Sequence, residues 1–543
     1  MEQTPVSSIQ RRDFPRYATD KPIPITITTT NPQNPIQAKG QTINISQQGL
    51  CVKLDADIPV SERVKLEGCL TNTKMMLNNT GRVVWSEPSL SLYGIDLTEY
   101  KETIPADWFG YVAGFEAGGL DRRERMNRRT KQEEKKLDAR KSGRRENHPA
   151  LLKCKKYNRA KKLISDNKYY FYRETSSSAK NTVIVENKKC LNFCSNNYLG
   201  LSSHPAIIEA SIKASQKYGI GTGGSRFLSG TLDVHTELEK KLAKFKGGED
   251  CLIFNTGYMT NLGVISALAT SKDDILIVDE KSHASIIDGV KLSSGEMVVF
   301  HHNDMLDLEK KLNKYKNKPS KFVLTDGVFS MDGDIAKLDK IYNLANQHNA
   351  TIFIDDAHST GVLGKTGKGT AEHFGLEQNI PLIMGTLSKS IGCLGGFIVA
   401  DKDVIQYLKN TSRAIIFVTS LPANICAAAI KSLEIIETEP EHLQNLWSNV
   451  KYLKTALMDE GFDIGITESP IFSVGVGEEN FTFEITRKLV DAGLFVNPVI
   501  YPAVPRKKCR IRLTVMATHT KEEINFLVDT MKTVFKKELM LLL

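Results

Sequence analysis

The amino-acid sequence predicts an α/β protein that carries a separate small β-domain at its N-terminus. Three observations predict this architecture: short β-type runs early in the chain, a highly charged segment after them, and then apolar runs that alternate with amphipathic stretches. At 543 residues the chain is long enough for about three domains. We place the three parts at residues 8–103, 104–147 and 148–543.

The first part is predicted to be a small antiparallel β-barrel. Runs rich in Thr, Val and Ile, such as "PIPITITTT" and "GRVVWSEPSLSLYGIDL", are separated by Pro, Asn and Gly. Short alternating runs between turn residues are typical of antiparallel strands in barrels.

The second part is predicted to be a solvated helix or a flexible linker. Its core, "DRRERMNRRTKQEEKKLDARKSGRRE", holds 12 basic and 6 acidic residues, so most of the net charge of +9 lies there. A segment nearly devoid of apolar residues cannot bury a core. A basic contact with nucleic acid or a membrane surface is the alternative, but the rest of the chain is close to neutral, and we expect no nucleic-acid partner.

The composition indicates a soluble, cytoplasmic protein. The chain is 41% hydrophobic and 25% charged, and its N-terminus shows no apolar signal-peptide core. No apolar run approaches the roughly 18 residues of a membrane span, so no transmembrane segment is expected. The nine cysteines form no CxxC pair, which predicts neither a disulfide framework nor a metal site.

The third part is predicted to contain a large, mostly parallel α/β domain and a smaller C-terminal α+β domain. Continuous apolar runs between helices are typical of parallel strands covered on both faces. The runs are "CLIF", "ILIVD", "FVLTD", "TIFID", "PLIMG" and "GFIVA". After about residue 445 the strand candidates are "IFSVGV", "LFVNPVIY" and "CRIRLTVMA".

Lys389 is the first candidate for chemistry. It lies in "GTLSKSIGCLGG", a small-residue loop that follows the apolar run "PLIM". Open α/β sheets bind ligands at the carboxyl ends of their strands. A lysine desolvated there loses proton affinity and can form a Schiff base with a carbonyl group. A solvated surface lysine is the alternative.

Other strand ends supply residues that suit the same cofactor. Asp355 ends the run "TIFID" and has His358 three residues later; a carboxylate there is either a cap or turn residue, or the partner of a pyridinium nitrogen. His283 in "SHAS" is either an ordinary packed histidine or a stacking ring. Gly257 and Tyr258 lie between a strand and a helix, where backbone amides attract phosphate. Together these residues fit pyridoxal phosphate.

Motifs spread from about residue 150 to 543 closely resemble the α-oxoamine synthases. This family comprises fold-type I pyridoxal phosphate enzymes that condense an amino acid with an acyl thioester and release carbon dioxide. The resemblance implies that fold, that cofactor and a homodimer. The motifs are "NFCSNNYLGL", "GTGGSRFLSGTLDVHTELEKKLAKFKG", "DEKSHASIIDG", "TDGVFSMDGD", "IDDAHSTGVLG", "MGTLSKSIGCLGGF" and "RIRLTVMATHT".

The resemblance implies catalytic roles for four residues. Lys389 matches the Schiff-base lysine and Asp355 the aspartate at the pyridinium nitrogen. His358 matches the histidine that hydrogen-bonds the cofactor's phenolic oxygen. His283 matches the stacking histidine, which would also steer the acyl group.

Further positions are implied to bind the cofactor and the amino acid. Asn196 and Arg512 match the pair that holds the substrate carboxylate, a task that suits the forked guanidinium. Ser330 lies beside the cofactor in relatives. The phosphate-binding positions are matched by Gly257, Tyr258, Thr386 and, from the second subunit, Thr419.

The substrate pair predicted from the resemblance is serine with a long-chain acyl thioester, as in serine palmitoyltransferases. The donor is either an acyl-coenzyme A or an acyl carrier protein. Members of the biotin pathway, the 8-amino-7-oxononanoate synthases, often carry an Arg where this chain has Tyr501. That reaction and glycine C-acetyltransferase are alternatives, as are an aminotransferase and a scaffold protein with an inactive synthase domain.

Two N-terminal motifs resemble the PilZ domain, whose ligand is cyclic di-GMP. They are "RRDFPR" and "NISQQG", within about residues 8–103. Solvated arginines and an ordinary turn are the alternative, and a barrel that has lost its affinity is another. The resemblance implies that synthase output or location responds to cyclic di-GMP, bound by Arg11, Arg12, Arg16, Asn44, Ser46 and Gly49.

Overall fold

The structure of the protein is a computed structural model that describes residues 149–155 and 157–542 and, before them, seven separate strands. Side chains are described for residues 150–154 and 157–536. The chain divides into two compact units, Met1–Lys156 and Tyr157–Leu543. The domain boundaries placed after residues 103 and 147 remain predictions.

The described strands of the first unit form one antiparallel ladder. Their order is β1-β3-β2-β5-β6-β7-β4, and the ladder closes because β3 also pairs with β4. The strands are β1 (Tyr17–Ala18), β2 (Pro24–Thr29), β3 (Gln37–Ser46), β4 (Gly49–Leu54), β5 (Arg63–Cys69), β6 (Met76–Glu87) and β7 (Leu92–Asp96).

Three of the six predicted cyclic di-GMP residues lie in described strands, and the other three lie outside the described residues. Asn44 and Ser46 belong to β3 and Gly49 to β4, where only strand placement is described. Ser46 and Gly49 are paired across the β3–β4 hairpin. The residues outside the described range are Arg11, Arg12 and Arg16.

The second unit contains one large sheet and two small ones. The large sheet has the order β10-β16-β15-β14-β13-β11-β12 and is parallel, except that β16 runs antiparallel to both of its neighbours. The mostly parallel sheet is therefore confirmed. The strands are β8 (Thr182–Val185), β9 (Lys188–Asn192), β10 (Asp250–Phe254), β11 (Asp274–Asp279), β12 (Glu296–Phe300), β13 (Ser320–Asp326), β14 (Thr351–Asp355), β15 (Leu382–Thr386), β16 (Gly396–Ala400), β17 (Ile471–Gly477), β18 (Leu494–Phe495), β19 (Asn497–Val499) and β20 (Cys509–Thr514).

The large sheet is covered on both faces, as its continuous apolar strands predict. Every residue of β11, β15 and β16 is buried. Strand β12, "EMVVF", is absent from the predicted strands because it lies at the sheet edge, where exposed and buried residues alternate. The carboxyl ends of β10, β11, β13, β14 and β15 all reach the same edge of the sheet.

Helices pack around these sheets with apolar residues at helical spacing. Leu338, Ile341 and Ala345, for example, are the buried residues of α8. Within the described residues, no helix is both long and apolar enough to cross a bilayer. The helices are α1 (Leu152–Lys155), α2 (Arg159–Ser165), α3 (Pro205–Tyr218), α4 (Asp233–Lys246), α5 (Gly257–Leu268), α6 (Ala284–Leu292), α7 (Met305–Lys314), α8 (Leu338–Gln347), α9 (Thr370–His373), α10 (Lys402–Thr411), α11 (Arg413–Ile416), α12 (Ala423–Thr438), α13 (Glu441–Asp459), α14 (Glu479–Asp491) and α15 (Lys521–Leu542).

The small sheets correct two details of the prediction. The run "LFVNPVIY" is not one strand: β18 pairs with β9, and β19 pairs with β20 in a different sheet. Pro498 has no N–H to donate, which suits β19 to the edge of its sheet. The smaller domain is also not purely C-terminal, because the β8–β9 hairpin joins it through β18.

Candidate active site

The predicted catalytic residues meet in one pocket at the carboxyl edge of the large sheet. The pocket has a volume of about 290 Å³. Strand ends and the first turn of α5 bring its lining together, as expected for an open α/β sheet. The predicted residues that line it are Gly257, Tyr258, His283, Asp355, His358, Thr386 and Lys389.

Lys389 follows β15 and lines the pocket together with apolar residues such as Met384 and with the carboxyl groups of Asp326 and Asp355. Burial lowers the pKa of its ammonium group to about 8, although Asp355 and Asp326 oppose that shift. At pH 7 about one tenth of Lys389 is therefore the free amine, far more than for a lysine with its ordinary pKa. This is the nucleophilic form that attacks carbonyl carbon.

Asp355 is held as a hydrogen-bonded carboxylate at the end of β14. Its Oδ2 accepts a bond from Asn261 Nδ2 at 2.7 Å, and its Oδ1 accepts from the backbone N–H of Ala357 at 2.9 Å. A carboxylate fixed in this way can face a protonated ring nitrogen.

His358 is held as a buried, neutral imidazole. Its Nδ1 lies 2.7 Å from Tyr198 Oη. Burial raises the pKa of Tyr198 to about 12, so the phenol keeps its proton, for which Asn196 Oδ1 and His358 Nδ1 are both within reach. Burial also holds the pKa of His358 well below its usual value. The imidazole is therefore neutral, with one ring nitrogen as donor and the other as acceptor.

His283 caps helix α6 and turns its ring to the pocket. The backbone N–H of Ser285 donates to His283 Nδ1 at 3.3 Å, and the Ser285 hydroxyl lies 2.7 Å from the same nitrogen. Burial lowers the pKa of this imidazole. A neutral, oriented ring with one face in the pocket can stack on a flat cofactor.

The first turn of α5 forms a cradle that fits a phosphate. A Cβ added to Gly257 would lie 3.1 Å from Met384 Cε and 3.2 Å from Thr386 Cβ, so glycine keeps this approach open. Backbone N–H groups and the positive end of the helix dipole point there. Nearby, Asn261 Oδ1 is buried with no partner among the described residues. The site fits pyridoxal phosphate by shape and chemistry.

Asn196 and Arg512 form the pair that the sequence predicts, beside the pocket rather than in its lining. Arg512 Nη2 donates to Asn196 Oδ1 at 3.2 Å, and its Nε donates to the carbonyl of Ser330 at 2.7 Å. Tyr198 Oη lies 3.3 Å from Asn196 Oδ1, which links this pair to His358. The Arg512 charge also lowers the pKa of Lys389.

Ser330 and Thr419 are not part of the pocket lining. Ser330 contributes its backbone carbonyl to Arg512. The carbonyl of Thr419 accepts a bond at 2.8 Å from Nδ2 of Asn255, which lies two residues before the start of α5. Its predicted role belongs to the second subunit, so it remains a prediction.

Three functional candidates were missed by the sequence interpretation: Asp326, Asn261 and Tyr198. Asp326 lines the pocket, and burial, followed by the charge of Asp355, raises its pKa well above the usual value. Its signal was present, because it ends the apolar run "FVLTD" at the same sheet edge as Asp355. Asn261 and Tyr198 carry no comparable signal, since their partners are distant in the sequence.

Comparison with known proteins agrees with this geometry. A family model described as "Aminotransferase class I and II" matches residues 188–531. Serine palmitoyltransferase from Sphingobacterium spiritivorum is 46% identical over 381 residues, which are 70% of this chain and 95% of that protein. The chain belongs to the α-oxoamine synthase family.

Other relatives agree with that assignment to the α-oxoamine synthases. The 8-amino-7-oxononanoate synthase of Thermoanaerobacter pseudethanolicus is 44% identical over 65% of this chain and 90% of its own length. A high-resolution structure of serine palmitoyltransferase with pyridoxal phosphate has a TM-score of 0.70 at 34% identity, covering 72% of this chain and 99% of that one. A PilZ domain model matches residues 10–104. This α-oxoamine synthase is a pyridoxal phosphate-dependent acyltransferase fused to a PilZ domain.

Proposed function

We propose that the enzyme condenses serine with a long-chain acyl thioester, and that Lys389, Asp355, His358 and His283 carry the reaction. The observation that supports this best is the arrangement of Arg512 and Asn196 beside the Lys389 pocket. A forked guanidinium, oriented by Ser330 and Asn196, is suited to hold the carboxylate of an amino acid next to an amine of low pKa.

The side chains of the pocket would hold the cofactor, and each would contact a different part of it. Pyridoxal phosphate, when bound, supplies an electron sink that stabilises negative charge on the Cα of the amino acid. The Asp355 carboxylate would hold the ring nitrogen, His358 Nε2 would donate to the phenolic oxygen, and His283 would cover the ring. The helix α5 turn with Gly257, Tyr258 and Thr386 would hold the phosphate.

Lys389 is the proposed base and nucleophile. With a pKa of about 8 its amine can accept the Cα proton near neutral pH. A bond then forms between Cα and the acyl carbon while the carbon–sulfur bond breaks, and the thiol leaves with a proton. The bond between Cα and the carboxylate breaks next, which releases carbon dioxide, and Cα receives a second proton, which is taken up from solvent.

The acyl substrate is proposed from the residue at position 501. An aromatic ring stands there, with Arg506 over its face at 4.6 Å and Arg159 Nη2 donating to the Tyr501 carbonyl at 2.8 Å. Biotin-pathway members often carry an Arg at this position, whereas Tyr501 supplies no charge of its own. Of the two arginines beside it, Arg159 is paired with Glu479. The Tyr at position 501 supports an apolar acyl chain, as in the serine palmitoyltransferases that the chain resembles.

The N-terminal PilZ domain is proposed to bind cyclic di-GMP through Arg11, Arg12, Arg16, Asn44, Ser46 and Gly49. The intact motifs and the family match support this proposal. The protein is further proposed to act in the cytoplasm as a homodimer, in which Thr419 reaches the cofactor phosphate of the other subunit.

Thiol release by the purified, cofactor-loaded chain tests the substrate proposal. Serine, alanine and glycine would each be combined with palmitoyl-, pimeloyl- and acetyl-coenzyme A. We expect turnover with serine and the palmitoyl donor. Turnover with alanine and the pimeloyl donor alone would instead assign the biotin-type reaction, and glycine with the acetyl donor would assign glycine C-acetyltransferase.

A further inference from the structure

A second, larger cavity lies beside the small sheet. It has a volume of about 780 Å³, against about 290 Å³ for the Lys389 pocket. Helix α2, the segment after it and the loop after β19 form its walls. The walls are mostly apolar and aromatic, and they include Leu163, Tyr169, Phe171, Phe495 and Val499.

This cavity begins next to the residues that would hold the amino acid. Asn497 lines it and is the direct cross-strand partner of Arg512 in the β19–β20 ladder. Met331 also lines it and directly follows Ser330, whose carbonyl accepts a bond from Arg512 Nε at 2.7 Å. The cavity therefore borders the residues that are proposed to hold the amino acid.

The charged groups in its walls are already paired. Arg159 donates to the Glu479 carboxylate at 3.1 Å and 3.2 Å, and Arg173 donates to Glu186 at 2.8 Å. Arg173 Nη1 is buried and has no partner among the described residues, so one donor in the wall remains open to a polar group. The rest of the wall is mostly apolar, and each methylene of a hydrocarbon chain buried against it would strengthen binding about fourfold.

We propose that this cavity, the acyl groove, holds the hydrocarbon chain of the acyl donor and so sets its length. The inference rests on the proposed function, since only an acyltransferase presents such a chain at Arg512. The Lys389 pocket has room for the reacting groups, and the groove supplies the apolar surface that a long chain requires.

Two substitutions on helix α2 test the acyl groove. Ala160 is half-buried and lines it, so Ala160→Phe should shorten the groove. Ile164 is 60% exposed and does not line it, so Ile164→Phe is the matched control. We expect Ala160→Phe to lower kcat/KM for palmitoyl- relative to decanoyl-coenzyme A by at least about tenfold, the effect of exposing two or three methylenes. The control should keep the wild-type ratio.

A second variant and a binding measurement keep the proposal testable if Ala160→Phe fails to fold. Leu163→Ser adds a hydroxyl group to the groove and should weaken palmitoyl turnover more than decanoyl turnover. Calorimetric binding of palmitoyl-coenzyme A to the cofactor-loaded full chain should weaken in both groove variants and stay unchanged in Ile164→Phe.

Distinct outcomes separate the two claims. If palmitoyl-coenzyme A remains a substrate and neither groove variant alters the chain-length ratio or palmitoyl binding, the acyl groove is wrong and the proposed function stands. If a groove variant changes only the oligomeric state, the cavity is a subunit contact and the proposal is overturned. If the wild-type enzyme turns over no long-chain donor, the proposed function fails, and binding alone then decides for or against the groove.

Discussion

At the residue scale, desolvation sets the proton affinity of Lys389 and keeps His358 neutral. Burial lowers both pKa values, and the positive charges of Lys389 and Arg512 add to the effect on His358. The ring of His358 is then oriented by one hydroxyl group, that of Tyr198, 2.7 Å from its Nδ1. These properties come from contacts across the fold.

The lowered pKa of Lys389 predicts how pyridoxal phosphate uptake depends on pH. The free amine is the reacting form, so uptake by the cofactor-free protein should rise with pH and level off above about pH 8. Stopped-flow measurement of the cofactor absorbance tests this. A rate that keeps rising beyond pH 10, as for an ordinary surface lysine, would contradict it.

The Tyr198 hydroxyl is expected to matter through His358. Tyr198→Phe removes the hydrogen-bond partner of His358 Nδ1 and should lower kcat/KM roughly tenfold, because a buried hydrogen bond lost on one side costs about 1–3 kcal/mol. Steady-state kinetics and the pH dependence of the cofactor spectrum would both change. Tyr452→Phe, which loses an exposed bond to Asn525, is the control and should leave both unchanged.

The sequence predicts site residues well where they end apolar strands. Asp355 and Lys389 follow such runs and the structure places both in the pocket. Asn261 and Tyr198 were not predictable in this way, because their roles depend on partners 94 and 160 positions away. Local pattern carries no information about such contacts.

At the element scale, strand β16 presses directly on the first turn of helix α5. A Cβ on Gly396 would lie 2.6 Å from Gly257 Cα and 2.7 Å from Gly257 N. These are backbone atoms, so the phosphate cradle itself would have to move. Packing of this kind fixes where the helix N-terminus points.

Gly396→Ala should therefore weaken cofactor binding. Overpacking of about 1–3 kcal/mol predicts roughly tenfold lower pyridoxal phosphate affinity. Equilibrium titration followed by absorbance measures it. Gly221→Ala, where an added Cβ meets nothing within 4 Å, is the control; equal affinities for the two variants would refute the cradle argument.

A buried ion pair ties helix α4 to the segment after β14. Lys246 Nζ lies 2.7 Å from Asp356 Oδ2, and the side chains are 1% and 0% exposed. Lys246 also donates to the carbonyl of Lys368 and to Thr360. Asp356 directly follows Asp355 in the sequence, so this ion pair holds the backbone next to the active-site carboxylate in place.

Removal of one partner leaves a buried charge unpaired. Lys246→Met should lower the free energy of unfolding by about 3–5 kcal/mol. Urea unfolding compared with Lys244→Met, an exposed lysine on the same helix, measures the difference. A loss no greater than that of the control would show that the pair contributes little.

The order of the elements was more predictable than their sheet membership. Six apolar runs correspond to strands of the large sheet, because each is buried on both faces. The β8–β9 hairpin and the change of sheet between β18 and β19 were missed. The hairpin pairs locally, but its place in the smaller domain and the change of sheet both depend on the pairing of β9 with β18, some 300 residues apart, which short-range periodicity does not record.

At the scale of the whole molecule, a PilZ domain and an enzyme share one chain. If cyclic di-GMP controls the enzyme, linkage requires that substrate change cyclic di-GMP affinity by the same factor that cyclic di-GMP changes substrate affinity. The basic segment at residues 121–146, which holds 12 basic and 6 acidic residues, lies between the two domain matches.

The arginine motif predicts the ligand of the PilZ domain. Calorimetry on the full chain should show cyclic di-GMP binding that Arg12→Ala with Arg16→Ala lowers by at least about 100-fold, since each lost charged hydrogen bond costs about 1.5–3 kcal/mol. Arg122→Ala with Arg123→Ala, in the basic segment, is the matched control. Equal affinity in the two double variants would contradict the assignment.

The most direct test of the central claim follows the three products of the reaction: the thiol, the carbon dioxide and the amino ketone. The cofactor-loaded chain would be given palmitoyl-coenzyme A and serine labelled with heavy carbon in its carboxyl group. We predict equal amounts of free thiol and labelled carbon dioxide, and an unlabelled long-chain amino ketone by mass spectrometry. Label retained in the organic product, or amino-group transfer to a keto acid without thiol release, would contradict the account.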